Sequence, residues 1–146
     1  MAPLEHSHEN GTDRWLSERG SLRMGLAAPR VLLTHVEGHF DVELARVFLA
    51  YCDRWVSIWR QANGRVMNGF HDWSRATGYD TESRRLFTRW VEENAHKFRG
   101  IIIYTPSRIV RMGIATAKLV LGSSIDTVAT RQALEQRIAE AVKQSL

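Results

Sequence analysis

The chain has 146 residues, 44% hydrophobic and 25% charged, with a net charge of +4 and a pI near 9.7. That length suits one domain able to bury roughly 70% of its unfolded surface, and no apolar run approaches the ~20 residues that cross a bilayer. Cys52 is the only cysteine, which excludes an internal disulfide and a cysteine zinc cage and fits a reducing, cytoplasmic setting.

Residues 1–14 are polar and carry Pro3, Asn10 and Gly11, so they are expected as a disordered tail, leaving 15–146 as a single domain. They show neither the basic leader nor the apolar core of a secretory signal. From Ser21 to Leu26 the apolar Leu22, Met24 and Leu26 alternate with Arg23 and Gly25, the period of a half-buried strand. Pro29 breaks it, and Val31 to Val36 follows as a second strand. The short connection predicts a hairpin at the edge of the sheet. Gly38 closes the second strand, and Asp41 is placed to cap a helix over 41–61. Leu44, Val47, Phe48, Tyr51, Trp55, Ile58 and Trp59 mark its inner face, with Asn63-Gly64 as the stop.

A third strand is predicted from Arg65 to His71, then a second helix from about Asp80 to Lys97 with Leu86, Phe87, Trp90, Val91 and Phe98 on one inward stripe. Gly100 to Thr105 is apolar and β-branched, as a strand covered on both faces should be. Thr105 is expected to cap a third helix that has Pro106 in its first turn. Its inner stripe is Ile109, Val110, Ile114, Ala117, Val120 and Leu121, and it ends near Gly122. A short strand at 124–128 leads to a last helix capped by Thr130, with Leu134, Ile138, Ala141 and Val142 inward. Strands alternating with helices after a first hairpin predict an α/β fold of about four helices on a mixed, mostly parallel sheet.

In that order the chain resembles a STAS domain, the fold of the SpoIIAA-like anti-sigma factor antagonists. Three stretches carry the resemblance. Val36-Glu37-Gly38-His39-Phe40-Asp41 is similar to the family's strand-to-helix passage, and Asp72-Trp73-Ser74 with Tyr79-Asp80-Thr81-Glu82-Ser83 to its acceptor turn. Ile101-Ile102-Ile103 before Pro106-Ser107-Arg108-Ile109-Val110 is similar to its buried strand and following helix. The likeness spans about residues 21 to 145 and marks a divergent member, because the family turn ends in Gly where Ser83 and Arg84 stand here. It implies a non-catalytic, bacterial regulatory domain that binds a protein partner, an anti-sigma factor or a kinase-like protein, and it allows a homodimer. Another branch of the resemblance, toward Sec14-like domains, implies a bound lipid or nucleotide instead.

The phosphoacceptor of the family falls on Thr81. The partner-binding candidates are Asp80, Ser83, Arg84, Arg108 and Arg111, and Trp73 and Tyr79 would line a ligand pocket. The bland alternative is that Asp80 or Thr81 only caps a helix. His71, Asp72 and Ser74 are triad residue types, but neighbours on a strand point to opposite faces and no Gly-x-Ser-x-Gly elbow exists, so no enzyme is read here. The scattered arginines carry no nucleic-acid motif, and the six histidines complete no metal site with cysteines or carboxylates. Neither a cofactor nor a metal is expected.

Overall fold

The computed structural model describes residues 4–63, 67–121 and 125–145. A seven-stranded sheet follows chain order: β1 (Glu5–Glu9), β2 (Thr12–Leu16), β3 (Gly20–Ala28), β4 (Val31–Phe40), β5 (Met67–Tyr79), β6 (Phe98–Tyr104) and β7 (Ile125–Val128). The first four are antiparallel, and β4 to β7 are parallel. Between the parallel strands run α1 (Val42–Asn63), α2 (Thr81–Asn94, followed by a 3-10 turn at Ala95–Lys97) and α3 (Arg108–Leu121), and α4 (Arg131–Ser145) closes the chain.

Each crossover joins adjacent strands in the same direction, so α1, α2 and α3 share one face of the sheet. The main core lies beneath them. Leu44, Phe48 and Cys52 from α1 meet Trp90 and Val91 from α2, over Leu22, Leu32, Ile101 and Ile103 from the sheet. On the other face α4 presses Leu134 and Ala141 onto Val31, Phe70 and Ile102. The period of two along β6 divides its three isoleucines between the two cores. All three are buried, in an interior strand parallel to both neighbours.

Of residues 1–14, expected as a disordered tail, the described ones (4–14) instead supply β1 and most of β2. Asn10 (φ 52°) and Gly11 (φ 76°) both take left-handed backbone, as a two-residue hairpin turn with matching twist requires. His6 and His8 share the Asp13 carboxylate across this hairpin, and Trp15 meets Tyr51 edge-on. The Leu22–Leu26 strand is therefore not an edge, because β2 covers its free side.

Several boundaries also shift. The third strand was expected to end at His71 but runs on to Tyr79, so Asp72, Trp73 and Ser74 lie in a strand and not in a loop. Its expected beginning at Arg65 and the Gly64 stop lie outside the described residues, as do Gly122 and Ser124. Asp41 caps α1 as predicted (Oδ1 to Leu44 N, 3.0 Å), and Thr130 caps α4 (Oγ1 to Ala133 N, 3.1 Å). At α3 the cap is Ser107, whose Oγ accepts from Val110 N, while Thr105 holds the Ser107 N–H one step earlier. Pro106 therefore precedes the helix. On α1 the buried stripe passes through Ala45, Cys52 and Val56, which leaves Ile58 exposed. On α3 Ile109 faces solvent and not the core, and nothing packs within 4 Å of where a Cβ on Gly113 would stand.

Candidate functional site

β4 and β5 continue together beyond the end of β6 and deliver the starts of α1 and α2 to one edge. Gly38 makes this possible. With φ 73° and the Arg19 carbonyl 2.6 Å from where a Cβ would stand, only glycine lets β4 come this close to the β2–β3 turn. His39 N then donates to the Arg19 carbonyl (3.0 Å), and the side chains of His39 and Arg19 both turn toward Asp80.

Asp80 stands where an N-cap of α2 would, yet its carboxylate serves the other helix. Oδ1 lies 2.7 Å from His39 Nε2 and 3.7 Å from Arg19 Nη1, while Oδ2 accepts from Val42 N at 3.3 Å. The His39 bond holds the Asp80 carboxyl below the usual carboxylate range, and Val42 N and Arg19 add to this. Among the described residues no side chain caps the first turn of α2. Thr81 is exposed as the first residue of that helix.

Beside this edge, under α3, lies an apolar cavity of about 160 Å³. Trp73, Phe40 and Phe87 form much of its wall, Ile114 and Ala117 roof it from α3, and Tyr79 and Arg84 also line it. Tyr79 is 48% exposed, and the Trp73 Nε1 is shielded from solvent with no hydrogen-bond partner. The structure therefore brings Trp73, Tyr79 and Arg84 together. Arg108 is exposed at the start of α3 and Arg111 half-buried one turn on; neither lines the cavity. Ser83, expected from the sequence to meet a partner, instead has no exposed surface and turns inward from the first turn of α2.

The triad types separate as strand alternation requires. His71 faces the main core against Phe48, and burial pushes its pKa down to about 4. Asp72 faces α4. Its carboxylate takes Ser74 Oγ at 2.6 Å and Arg131 Nη2 at 3.0 Å, with His35 Nδ1 at 3.2 Å. Burial raises the Asp72 carboxyl, but the bonds from Ser74 and Arg131 outweigh it and leave the pKa lowered. Ser74 Oγ thus donates to a carboxylate that Arg131 also holds. Sequence reasoning missed His35, Arg131 and the His39–Asp80 link, because each depends on how β4, β5 and α4, far apart in sequence, come together. Among the described residues, no group of three or more His, Cys, Asp or Glu is arranged to hold a metal ion. No helix among them is long and apolar enough to cross a membrane.

No protein-family model matches the sequence, and no curated protein shows significant similarity to it. Solved structures do match in shape. One is an uncharacterised protein of the DUF3478 family with a SpoIIAA-like fold from Shewanella loihica PV-4, at TM-score 0.60 and 9% identity over 84% of this chain and 98% of that one. The anti-sigma factor antagonist SpoIIAA in its unphosphorylated form gives 0.56 and 17% over 81% and 97%. The Bacillus cell fate determinant SpoIIAA in its phosphorylated form gives 0.55 and 15% over 80% and 98%. The fold is accordingly SpoIIAA-like: α/β, four helices on a mixed sheet, reached by a sequence far from those of its structural neighbours.

Proposed function

We propose that this chain is a non-catalytic regulatory domain of the bacterial cytoplasm that binds a protein partner at the edge carrying Tyr79, Thr81 and Arg84, with Thr81 as a phosphorylation point. One observation carries the reading: on a SpoIIAA-like fold, Thr81 stands exposed at the start of a helix whose first turn no side chain among the described residues caps, because Asp80 is held by His39 and Val42. A phosphate there would bring about −1.5 to −2 charges to the positive end of α2, with Arg84 close by in the chain. SpoIIAA itself is known in phosphorylated and unphosphorylated forms and is an anti-sigma factor antagonist, which supports the same reading. Asp80 acts here by positioning. Asp80→Lys would break the junction between α1 and α2 and so reports on stability, not on contact.

The test uses variants that spare this junction. Partners retained by the wild-type protein are identified by mass spectrometry, and their affinity is titrated against Arg84→Glu, Thr81→Glu and Thr81→Ala. Arg84→Glu should weaken binding about tenfold or more with an unchanged melt. Thr81→Glu should change affinity, while Thr81→Ala keeps it. Equal affinity across all three overturns the reading. The cavity lined by Trp73 and Tyr79 supports one other reading, a small-ligand domain for a lipid or nucleotide. Native mass spectrometry showing a stoichiometric bound molecule would establish it.

A further inference from the structure

α3 carries apolar side chains on two sides. Its inner side reaches the cavity through Val110, Ile114 and Ala117, none of which is fully buried. The outer side shows Ile109, Met112 and Leu119 at 82%, 64% and 87% exposure. Their spacing of three and seven puts them on one stripe of the helix. Aliphatic side chains so exposed, aligned on one element, mark a surface that something covers.

The charges indicate what covers it. Each exposed apolar residue is preceded by a base: Arg108-Ile109, Arg111-Met112 and Lys118-Leu119. One residue is a rotation of about 100°, so a basic row flanks the apolar row. The helix has no acidic residue at all. Lys118 lies 3.7 Å from Asp126 on β7, whereas Arg108 and Arg111 have no ion pair among the described residues. A second copy laid antiparallel on this stripe would set arginine against like charge. Protein hot spots favour Trp, Tyr and Arg set in pockets, and α3 offers no aromatic residue. An anionic bilayer needs neither charge of both signs nor a matching pocket. It takes an apolar ridge between its acyl chains while flanking Lys and Arg reach the headgroup phosphates.

We propose that α3 is an interfacial helix that docks the domain on anionic lipid surfaces, with Ile109, Met112 and Leu119 inserted and Arg108 and Arg111 at headgroup level. This goes beyond partner binding at the Thr81 edge and uses different residues. Arg108 and Arg111 then serve the membrane rather than the protein partner.

Full-length protein is sedimented with phosphatidylcholine vesicles and with vesicles containing about a third phosphatidylglycerol. It should pellet with the anionic vesicles alone, and binding should fall as salt rises. Ile109→Asp and Leu119→Asp, at sites already exposed, should keep the wild-type melt and lose binding. Arg108→Gln should weaken it about fivefold. Arg84→Glu should leave vesicle binding intact, which separates failure here from failure of the partner reading. Absence of binding to anionic vesicles, or binding unchanged by both aspartates, overturns the proposal. So does a dimer in sedimentation equilibrium that Ile109→Asp dissociates while vesicles capture nothing.

Discussion

On the helix-covered face of β5, His71 packs against Phe48 and Trp73 with no partner for Nδ1, while on the α4 face its neighbour Asp72 holds Ser74, Arg131 and His35. The side chains are adjacent in sequence and both at least nine-tenths buried, yet one must stay neutral and the other charged. The cause is what covers each face. Three helices exclude water from the first, whereas α4 alone crosses the second and leaves room for a groove lined by Arg23, His35, Asp72 and Arg131. Burial without partners excludes charge, and burial with donors retains it.

The largest effect should come from opening the dry face. Phe48→Ala, at a ring 1% exposed that touches Phe40, His71 and Phe87, should cost about 3–5 kcal/mol in denaturant unfolding. A smaller loss should follow acid. The folded pKa of His71 is about 4 against an ordinary 6.5, so the unfolded chain takes up the proton first as pH falls. Stability from this residue is whole above about pH 6.5 and declines by roughly 3 kcal/mol by about pH 4. His71→Phe should flatten that decline in melts run across the window. A decline unchanged in the variant would show that other groups cause it.

Asp72 should act lower on the scale. Its folded pKa is lowered, so its stabilisation is present above the ordinary value near 3.8 and lost as pH falls below that. The smallest effect belongs to Arg131→Ala. That guanidinium is about half exposed, and its bond to Asp72 and its stacking over Tyr104 should together contribute about 1 kcal/mol at neutral pH. Chemical unfolding of the variant checks this, and a loss as large as that of Phe48→Ala would erase the contrast between the faces.

Much of this was legible from the order of residues. The alternation at Leu22–Leu26, the isoleucine run and the caps Asp41 and Thr130 all rest on local rules, and all reappear in the structure. What stayed hidden has physical reasons. The β1–β2 hairpin has no apolar alternation because β1 is exposed throughout, although Asn10-Gly11 is a strong hairpin signal that outweighs its polar composition. The continuation of β5 through Asp72-Trp73-Ser74 reads as a loop until β4 is seen pairing with it as far as Tyr79. A helix apolar on two sides, such as α3, gives no sign from periodicity of which side the sheet takes. The place of Thr81 in the first turn of a helix was legible. The inward turn of Ser83 and the loss of Asp80 to α1 were not, because both are decided by tertiary contacts.

The strand order bears on how the chain can be assembled. Because neighbours in the sheet are neighbours in the chain, each strand finds its partner already synthesised, and no strand waits for a distant segment. Each step closes only a short hairpin or one helical crossover, so the entropy cost of ordering is met in small instalments along the chain. A sheet built this way grows outward from whichever pair forms first. Its N-terminal hairpin is tied into that order as well: β2 pairs along the edge of β3, Trp15 meets Tyr51, and the β2–β3 turn brings Arg19 to His39 and Asp80, so removing these strands would disturb the junction beside Thr81.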